Sequence, residues 1–258
     1  MLFGSLAALG CGRTEPGGAT PRSAPAPDTA TQTREVTTPA PSPPPAPPPV
    51  DTRRCKPAPG TSGSPRTIDE MIALINGLPR PVTAPCVIEA LDRPLKVEAT
   101  SSADSVQPAV GEQSPRIFIW PHDDLIVAIA LAGKGQRLIE LGQFVTPVRS
   151  VKAEIEFPLD GPATTAEALE RVRNPEHPRI TSCFVCHDRE EDEPEVPGGR
   201  SSLAIRPRAK SLVDIASLEA LHETCDPTED PLRCAWLEAL VTHGPLEHRP
   251  FDEAIGRF

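Results

Sequence analysis

The chain has 258 residues, and 15 of its 34 prolines precede Thr67, which leaves roughly 190 residues for one domain or two small ones. Aromatic residues make up only 3 % of the chain and tyrosine is absent, so any core must be built from aliphatic side chains. The formal net charge of −10 argues against a nucleic-acid-binding protein, since the sequence shows no basic stripe to neutralise phosphates. The longest apolar run, Leu125 to Gly133, is far shorter than the roughly 20 residues of a membrane-spanning helix.

Residues 1–11, MLFGSLAALGC, are apolar and end in small residues before a cysteine. This segment resembles the end of a bacterial lipoprotein signal, although Ala8 replaces the usual leucine and no basic residue precedes it. The resemblance implies that Cys11 is lipidated, that a lipid anchor is the chain's membrane attachment, and that the protein faces the periplasm or lies on the outer membrane of a bacterial cell envelope. The alternative is a short apolar tail.

Residues 12–66 are rich in proline, alanine, threonine and serine. Such a segment buries too little apolar surface to offset its ordering entropy, and its proline run favours an extended polyproline II conformation. We therefore expect a disordered tether that holds a domain away from a membrane. A ligand for SH3-type domains is the competing interpretation.

Residues 67–160 have the pattern of a β-rich domain with one N-terminal helix. Thr67 to Glu70 form a capping-box pattern before an apolar run that stops at Gly77. The apolar period then changes to two, which predicts strands. The predicted strands are Leu95–Ala99, Ile117–Trp120, Leu125–Ala130, Leu138–Leu141 and Val151–Phe157. With no helices between them, they suggest a small antiparallel β sandwich or barrel.

Residues 161–258 return to a helical period. Predicted helices cover residues 164–173, 211–222 and 231–243, the last after an Asp230–Pro231 start signal. The whole chain is therefore expected to be α+β, with a β-rich domain followed by a short helical region.

The helical region contains Cys183-Phe-Val-Cys186-His187, which has the Cys-x-x-Cys-His spacing of c-type haem attachment. Two thiols three residues apart can add to the two vinyl groups of one porphyrin edge, and the adjacent histidine can bind the iron. The motif resembles that of the c-type cytochromes. The resemblance implies a covalent haem c held by Cys183 and Cys186, with His187 as an iron ligand.

Two other chemistries fit the same cysteines. A thioredoxin-like pair would need to open a helix after a strand in a βαβ unit, whereas here the pair follows a β-rich region. A structural disulfide, or a zinc site completed by a further histidine, is the second alternative, although no second Cys-x-x-Cys is present.

The c-type cytochromes commonly have a methionine as the second axial ligand, but the methionines of this chain are Met1 and Met71. We therefore expect the sixth iron position to be open or filled by histidine, with a reduction potential below that of His/Met cytochromes. His222 and His243 are the first candidates because they lie on apolar faces of the two helices after the motif. Either one is also compatible with a buried, hydrogen-bonded histidine, and His122, His177 and His248 remain as further candidates.

The other cysteines form two local pairs. If Cys11 carries lipid and the motif carries haem, four cysteines remain. Cys55 and Cys86 bracket the first helix, whereas Cys225 and Cys234 bracket the turn between the last two helices. We expect both pairs to form disulfides, because an oxidising compartment favours full use of thiols.

An acidic run, Asp188 to Glu195, follows the motif. It is either a solvated loop or a source of negative potential that steers a basic redox partner towards the haem. The expected function is electron transfer or redox sensing by an envelope-anchored monohaem protein. The alternative is a haem-free, disulfide-stabilised β-domain that binds an envelope partner. No sequence motif of a hydrolase or transferase is visible.

Overall fold

The computed structural model describes residues 51–105 and 107–257, which belong to one compact unit. Cys11, the apolar segment 1–11 and the tether up to residue 50 lie outside the described residues. Residues 51–66, which were assigned to the tether, pack against the folded unit: Arg53 donates from Nη1 to the carbonyl oxygen of Leu91 at 3.1 Å, and Arg54 donates its backbone N–H to Glu89.

The helices begin where side-chain caps predict. Thr67 accepts a hydrogen bond from the Glu70 backbone N–H at the start of α1, and Asp230 caps the last helix immediately before Pro231. Thr164 and Glu167 form the reciprocal capping box of α3. The helices are α1 (Ile68–Asn76), α2 (Ala84–Glu89), α3 (Thr165–Arg171), α4 (Ile215–Glu223) and α5 (Pro231–Val241).

Alternating apolar residues produce the strands, as predicted for the central part of the sheet. The first five strands are β1 (Leu95–Thr100), β2 (Arg116–His122), β3 (Leu125–Ala130), β4 (Leu138–Thr146) and β5 (Arg149–Glu156). The later strands are shorter: β6 (Glu191–Asp192), β7 (Arg200–Leu203), β8 (Ile205–Arg206), β9 (Leu212–Val213), β10 (Leu246–His248) and β11 (Gly256–Arg257).

The α+β class is confirmed, but the sheet is neither a sandwich nor a barrel. Among the described residues, β10, β1 to β5, β7 and β6 follow one another in one mixed sheet, with β9 also paired to β1. The meander β1–β5 is antiparallel, whereas β10 joins β1 in parallel. Strands from the region expected to be helical thus complete the sheet, and this pairing between distant segments leaves no signal in local periodicity.

One face of the sheet carries the main core. Alternate residues of the strands, such as Ile117, Val127 and Ile155, pack with the helices. Trp236 of α5 is fully buried there, and its Nε1 donates to the Gln136 carbonyl oxygen at 3.0 Å. The other face of β2–β5 is not covered by these helices, and a cleft forms on it.

Both expected disulfides are confirmed. Cys55 pairs with Cys86 and joins the segment before α1 to α2, and Cys225 pairs with Cys234 between α4 and α5. No helix among residues 51–105 and 107–257 is long and apolar enough to cross a bilayer.

Candidate functional site: a cleft beside the Cys-x-x-Cys-His motif

The Cys-x-x-Cys-His motif is wound into a single short turn at Ser182–Val185. Thr181 starts this turn, because its hydroxyl accepts the backbone N–H of Cys183 at 3.1 Å. The carbonyl oxygen of Cys183 then accepts the backbone N–H groups of Cys186 at 3.1 Å and of His187 at 2.8 Å. The local hydrogen bonds therefore bring both cysteines and the histidine close together.

A buried carboxylate holds this turn against the sheet edge. Glu190 accepts the backbone N–H of Thr181 at 2.8 Å and also the Thr181 hydroxyl. Its side chain is 2 % exposed and pairs with Arg200 of β7 at 3.4 Å. Asp192 also pairs with Arg200, so part of the acidic run is structural and is not simply a solvated loop.

The imidazole of His187 is oriented by the backbone. Its Nδ1 lies 2.7 Å from the carbonyl oxygen of Leu203, and Nε2 has no hydrogen-bond partner among the described residues. Burial, with the nearby cations Lys152 and Arg116, lowers the pKa of His187 to about 4. At neutral pH the imidazole is therefore neutral, with the proton on Nδ1 and the Nε2 lone pair available to a metal.

The two motif cysteines are partly buried free thiols. Burial, with help from Glu140, raises the pKa of the Cys183 thiol above its ordinary value. A reactive thioredoxin-type cysteine needs the opposite shift, and Cys183 does not open a helix of a βαβ unit. Between the cysteines, Phe184 and Val185 point outwards and are 40 % and 84 % exposed.

The motif lines a cleft that is open to solvent and has a cavity volume of about 140 Å³. Cys183, Cys186 and His187 contribute to one wall. The other contributors include apolar residues of the sheet and of the C-terminal segment: Phe118, Ile126, Ala128, Phe144 and Phe251.

The strand register explains the floor of the cleft. Ala128 lies opposite Glu140, Ile126 opposite Gly142, and Gly142 opposite Lys152, so these residues share the face turned away from the main core. Ala128 and Gly142 have little or no side chain, so the centre of the floor lies close to the strand backbone. A Cβ added at Gly142 would meet its nearest atoms only at 3.9 and 4.0 Å.

Charged side chains surround the centre of the cleft floor. Arg116 bonds to Glu140, and Arg171 pairs with Glu154 at 3.2 Å. Burial raises the pKa of Glu154, and Arg171 opposes that shift. Lys152 donates to the hydroxyl of Ser150 and forms no ion pair within the described part of the chain.

The two histidines expected as further iron ligands lie elsewhere. His222 of α4 lies 3.2 Å from a Glu238 carboxylate oxygen on α5. His243 is buried after α5, with Nδ1 3.4 Å from Thr52 Oγ1 and Nε2 3.6 Å from Glu89 Oε1. Neither residue lines the cleft, because α4, which carries His222, and α5, which His243 follows, pack on the opposite face of the sheet.

The other histidines are also outside the cleft. His122 is the last residue of β2 and lies beside Asp124, His177 is in the loop before the motif, and His248 lies 3.6 Å from Glu98. Among the described lining residues, His187 is the single histidine, and no methionine is present.

The described residues contain no group of three or more histidine, cysteine or carboxylate side chains placed to hold a metal ion. This arrangement does not suit zinc, which takes four protein ligands in a structural site. Haem makes a smaller demand, because the porphyrin supplies four nitrogen ligands and the protein needs to add one. Free thiols, an oriented Nε2 and a partly apolar cleft that is open to solvent are the features that suit that group.

The floor residues Arg116, Glu140, Lys152 and Glu154 were not identified from the sequence as site residues. The alternation of apolar and charged residues in β5 places Lys152 and Glu154 on one face of that strand, but it gave no sign that another segment would enclose that face. No protein-family model, curated protein or solved structure matches the chain.

Proposed function

We propose that the chain is a monohaem c-type cytochrome-like protein of the bacterial cell envelope, for electron transfer or redox sensing. The observation that supports this best is the position of the attachment motif: both cysteines and the oriented histidine line one cleft. In this proposal Cys183 and Cys186 form the thioether bonds, and His187 binds the iron through Nε2.

A bound haem supplies one-electron chemistry at its iron. The chain's own residues set the conditions for that chemistry. The Leu203 carbonyl fixes the imidazole and increases its basicity, and the phenylalanine side chains make part of the cleft wall apolar.

Anchoring through Cys11 and association with a basic redox partner belong to the same proposal. Of the carboxylates near the motif, Asp188 and Asp192 are exposed and could contact such a partner. Glu190 is buried and paired with Arg200, so it could not. The membrane contact is a lipid anchor, and nucleic acid is not a partner.

The test is covalent haem attachment in a host that matures c-type cytochromes. We expect the wild-type protein to be red and to keep haem through acid–acetone extraction and denaturing electrophoresis. The Cys183→Ser/Cys186→Ser double variant should lose that haem. The Cys225→Ser/Cys234→Ser variant is the matched control, because it removes two cysteines outside the cleft and should retain haem.

A colourless wild-type protein with a Cys183–Cys186 disulfide would refute the proposal. The haem-free, disulfide-stabilised envelope binding module would then be the better account of the chain.

A further inference from the structure

Lys152 is the one lysine that lines the cleft among the described residues. Its side chain projects from β5 on the floor face, directly across from Gly142 of β4. The ammonium group donates to the hydroxyl of Ser150 and lies 3.4 Å from the Ser150 carbonyl oxygen. An ammonium group has three donors, so at least one remains for a further acceptor.

The carboxylates of the floor are engaged by other residues. Glu140 bonds to Arg116, and Glu154 accepts from Arg171 and from Gln107. The positive charge of Lys152 is therefore not cancelled by direct contact with a carboxylate. A partly buried cation of this kind favours an anionic neighbour.

The space for that neighbour is beside Lys152. Because Gly142 has no side chain, an added atom fits there in ordinary van der Waals contact: the nearest atoms to a Cβ at Gly142 would be Ser150 Oγ at 3.9 Å and Ile126 Cβ at 4.0 Å. A small occupant would contact the ammonium group, the Ser150 hydroxyl and the aliphatic wall of Ile126.

Lys152 is also within electrostatic range of the motif. Its charge lowers the pKa of both His187 and Cys183. Burial lowers the pKa of Lys152 itself to about 8, so the amine keeps its proton at neutral pH.

We propose that the floor beside Lys152 and Gly142 binds a small inorganic anion next to the Cys-x-x-Cys-His motif. The inference rests on the proposed function for its role: in the haem-loaded protein the anion lies in the same cleft as the iron. The site itself belongs to the polypeptide and does not require haem.

The test uses azide as the probe, at constant ionic strength, with two forms of the full chain. The first form is the haem-free Cys183→Ser/Cys186→Ser variant, followed by amide chemical shifts in NMR. We expect saturable shifts at Gly142, Ser150 and Lys152. The second form is the ferric haem-loaded protein, followed by absorption spectroscopy.

Three substitutions separate the roles that Lys152 could have. Lys152→Met should weaken azide binding by about tenfold or more in both forms, as expected for the loss of a charge-assisted hydrogen bond. Lys152→Arg keeps the charge and should bind azide nearly as well as the wild type. Lys134→Met removes an exposed lysine outside the cleft and should change nothing.

Carbon monoxide is the neutral control ligand for the ferrous form, and its affinity should not depend on the charge at position 152. Equal azide affinity in Lys152→Met and wild type would overturn the inference. So would loss of the wild-type ferric spectrum in both Lys152→Met and Lys152→Arg without azide, because that result would make Lys152 itself an iron ligand.

The haem-free NMR arm decides the inference even if the proposed function fails. A protein that never acquires haem, yet shows azide shifts that Lys152→Met abolishes, retains the anion site and loses the cytochrome function. Absence of saturable shifts in the haem-free form overturns the anion site, whatever the haem content of the wild type.

Discussion

The Nδ1 atom of His187 lies 2.7 Å from the carbonyl oxygen of Leu203, which follows sixteen residues later on strand β7. The motif is therefore aligned by the sheet edge, not only by its own turn. Since this contact is made by the polypeptide alone, the imidazole has its orientation before any ligand binds.

We expect the His187 imidazole of the haem-free Cys183→Ser/Cys186→Ser variant to titrate with a pKa of about 4, below its ordinary value of 6.5. As pH falls, the unfolded chain then binds this proton before the folded chain does. His187 therefore contributes stability above about pH 6.5 that is lost progressively towards pH 4. Nitrogen-detected NMR measures the midpoint and the Nδ1–H tautomer, and a midpoint close to 6.5 would contradict the buried, bonded imidazole.

Filling the cleft floor should reduce haem incorporation. Gly142→Leu places a side chain over the open centre, and the backbone there does not have the positive φ that would strain it. We expect the folded protein to carry less covalent haem, measured as haem per polypeptide after denaturing electrophoresis. Gly161→Leu is the control, because Gly161 is open and outside the cleft. Wild-type haem content in Gly142→Leu would mean that the haem lies elsewhere.

Loss of the helix histidines should leave the haem environment unchanged. His222→Gln and His243→Gln remove residues that do not line the cleft, so the ferric spectrum should match the wild type and carbon monoxide should bind the ferrous form. His243→Gln should lower stability, because His243 is buried beside Glu89. A change to a five-coordinate spectrum in either variant would restore that histidine as a ligand.

The two disulfides should stabilise the fold unequally. The Cys55–Cys86 bridge spans 31 residues and the Cys225–Cys234 bridge spans 9. Loop-closure entropy predicts losses of about 4 and about 3 kcal/mol when the pairs are replaced by alanine. Urea unfolding of the two double variants measures this, and the reverse order would show that local packing outweighs loop entropy.

Glu98 should make the fold less stable as pH rises. The side chain is buried on β1, and that burial raises its pKa above the ordinary 4.5, with His248 opposing the shift. The unfolded chain therefore ionises first as pH increases, and the free energy of unfolding falls. Glu98→Gln should be more stable than wild type at pH 7 and equal to it below pH 4.5. Exposed Glu247→Gln serves as the control, and equal stability of Glu98→Gln and wild type at pH 7 would refute the burial argument.

The helices α1, α3, α4 and α5 and the central strands could be predicted because their signals are local, whereas the six-residue α2 was not predicted. Thr67 and Thr164 cap helices, Asp230–Pro231 starts α5, and period-two runs mark β1 to β5. The disulfides followed from elimination among the cysteines. These predictions needed no knowledge of how distant segments meet.

The site depends on contacts between distant segments, so only part of it could be predicted from the sequence. The motif identified Cys183, Cys186 and His187 as site residues. The floor of the cleft, however, belongs largely to β4 and β5, which precede the motif by more than 25 residues in the sequence. His222 and His243 had the correct helical spacing for buried residues. Periodicity did not indicate which face of the sheet their helices would cover.

The Cys55–Cys86 bridge also has a mechanical consequence. A pulling force applied to the chain ahead of residue 51 reaches Cys55 first and passes through the sulfur–sulfur bond to Cys86 on α2. Residues 56–85, including the whole of α1, lie within the covalent loop and carry none of that tension. In the proposed anchored protein, a motion about the anchor would thus pull on α2, which packs on the face of the sheet opposite the cleft.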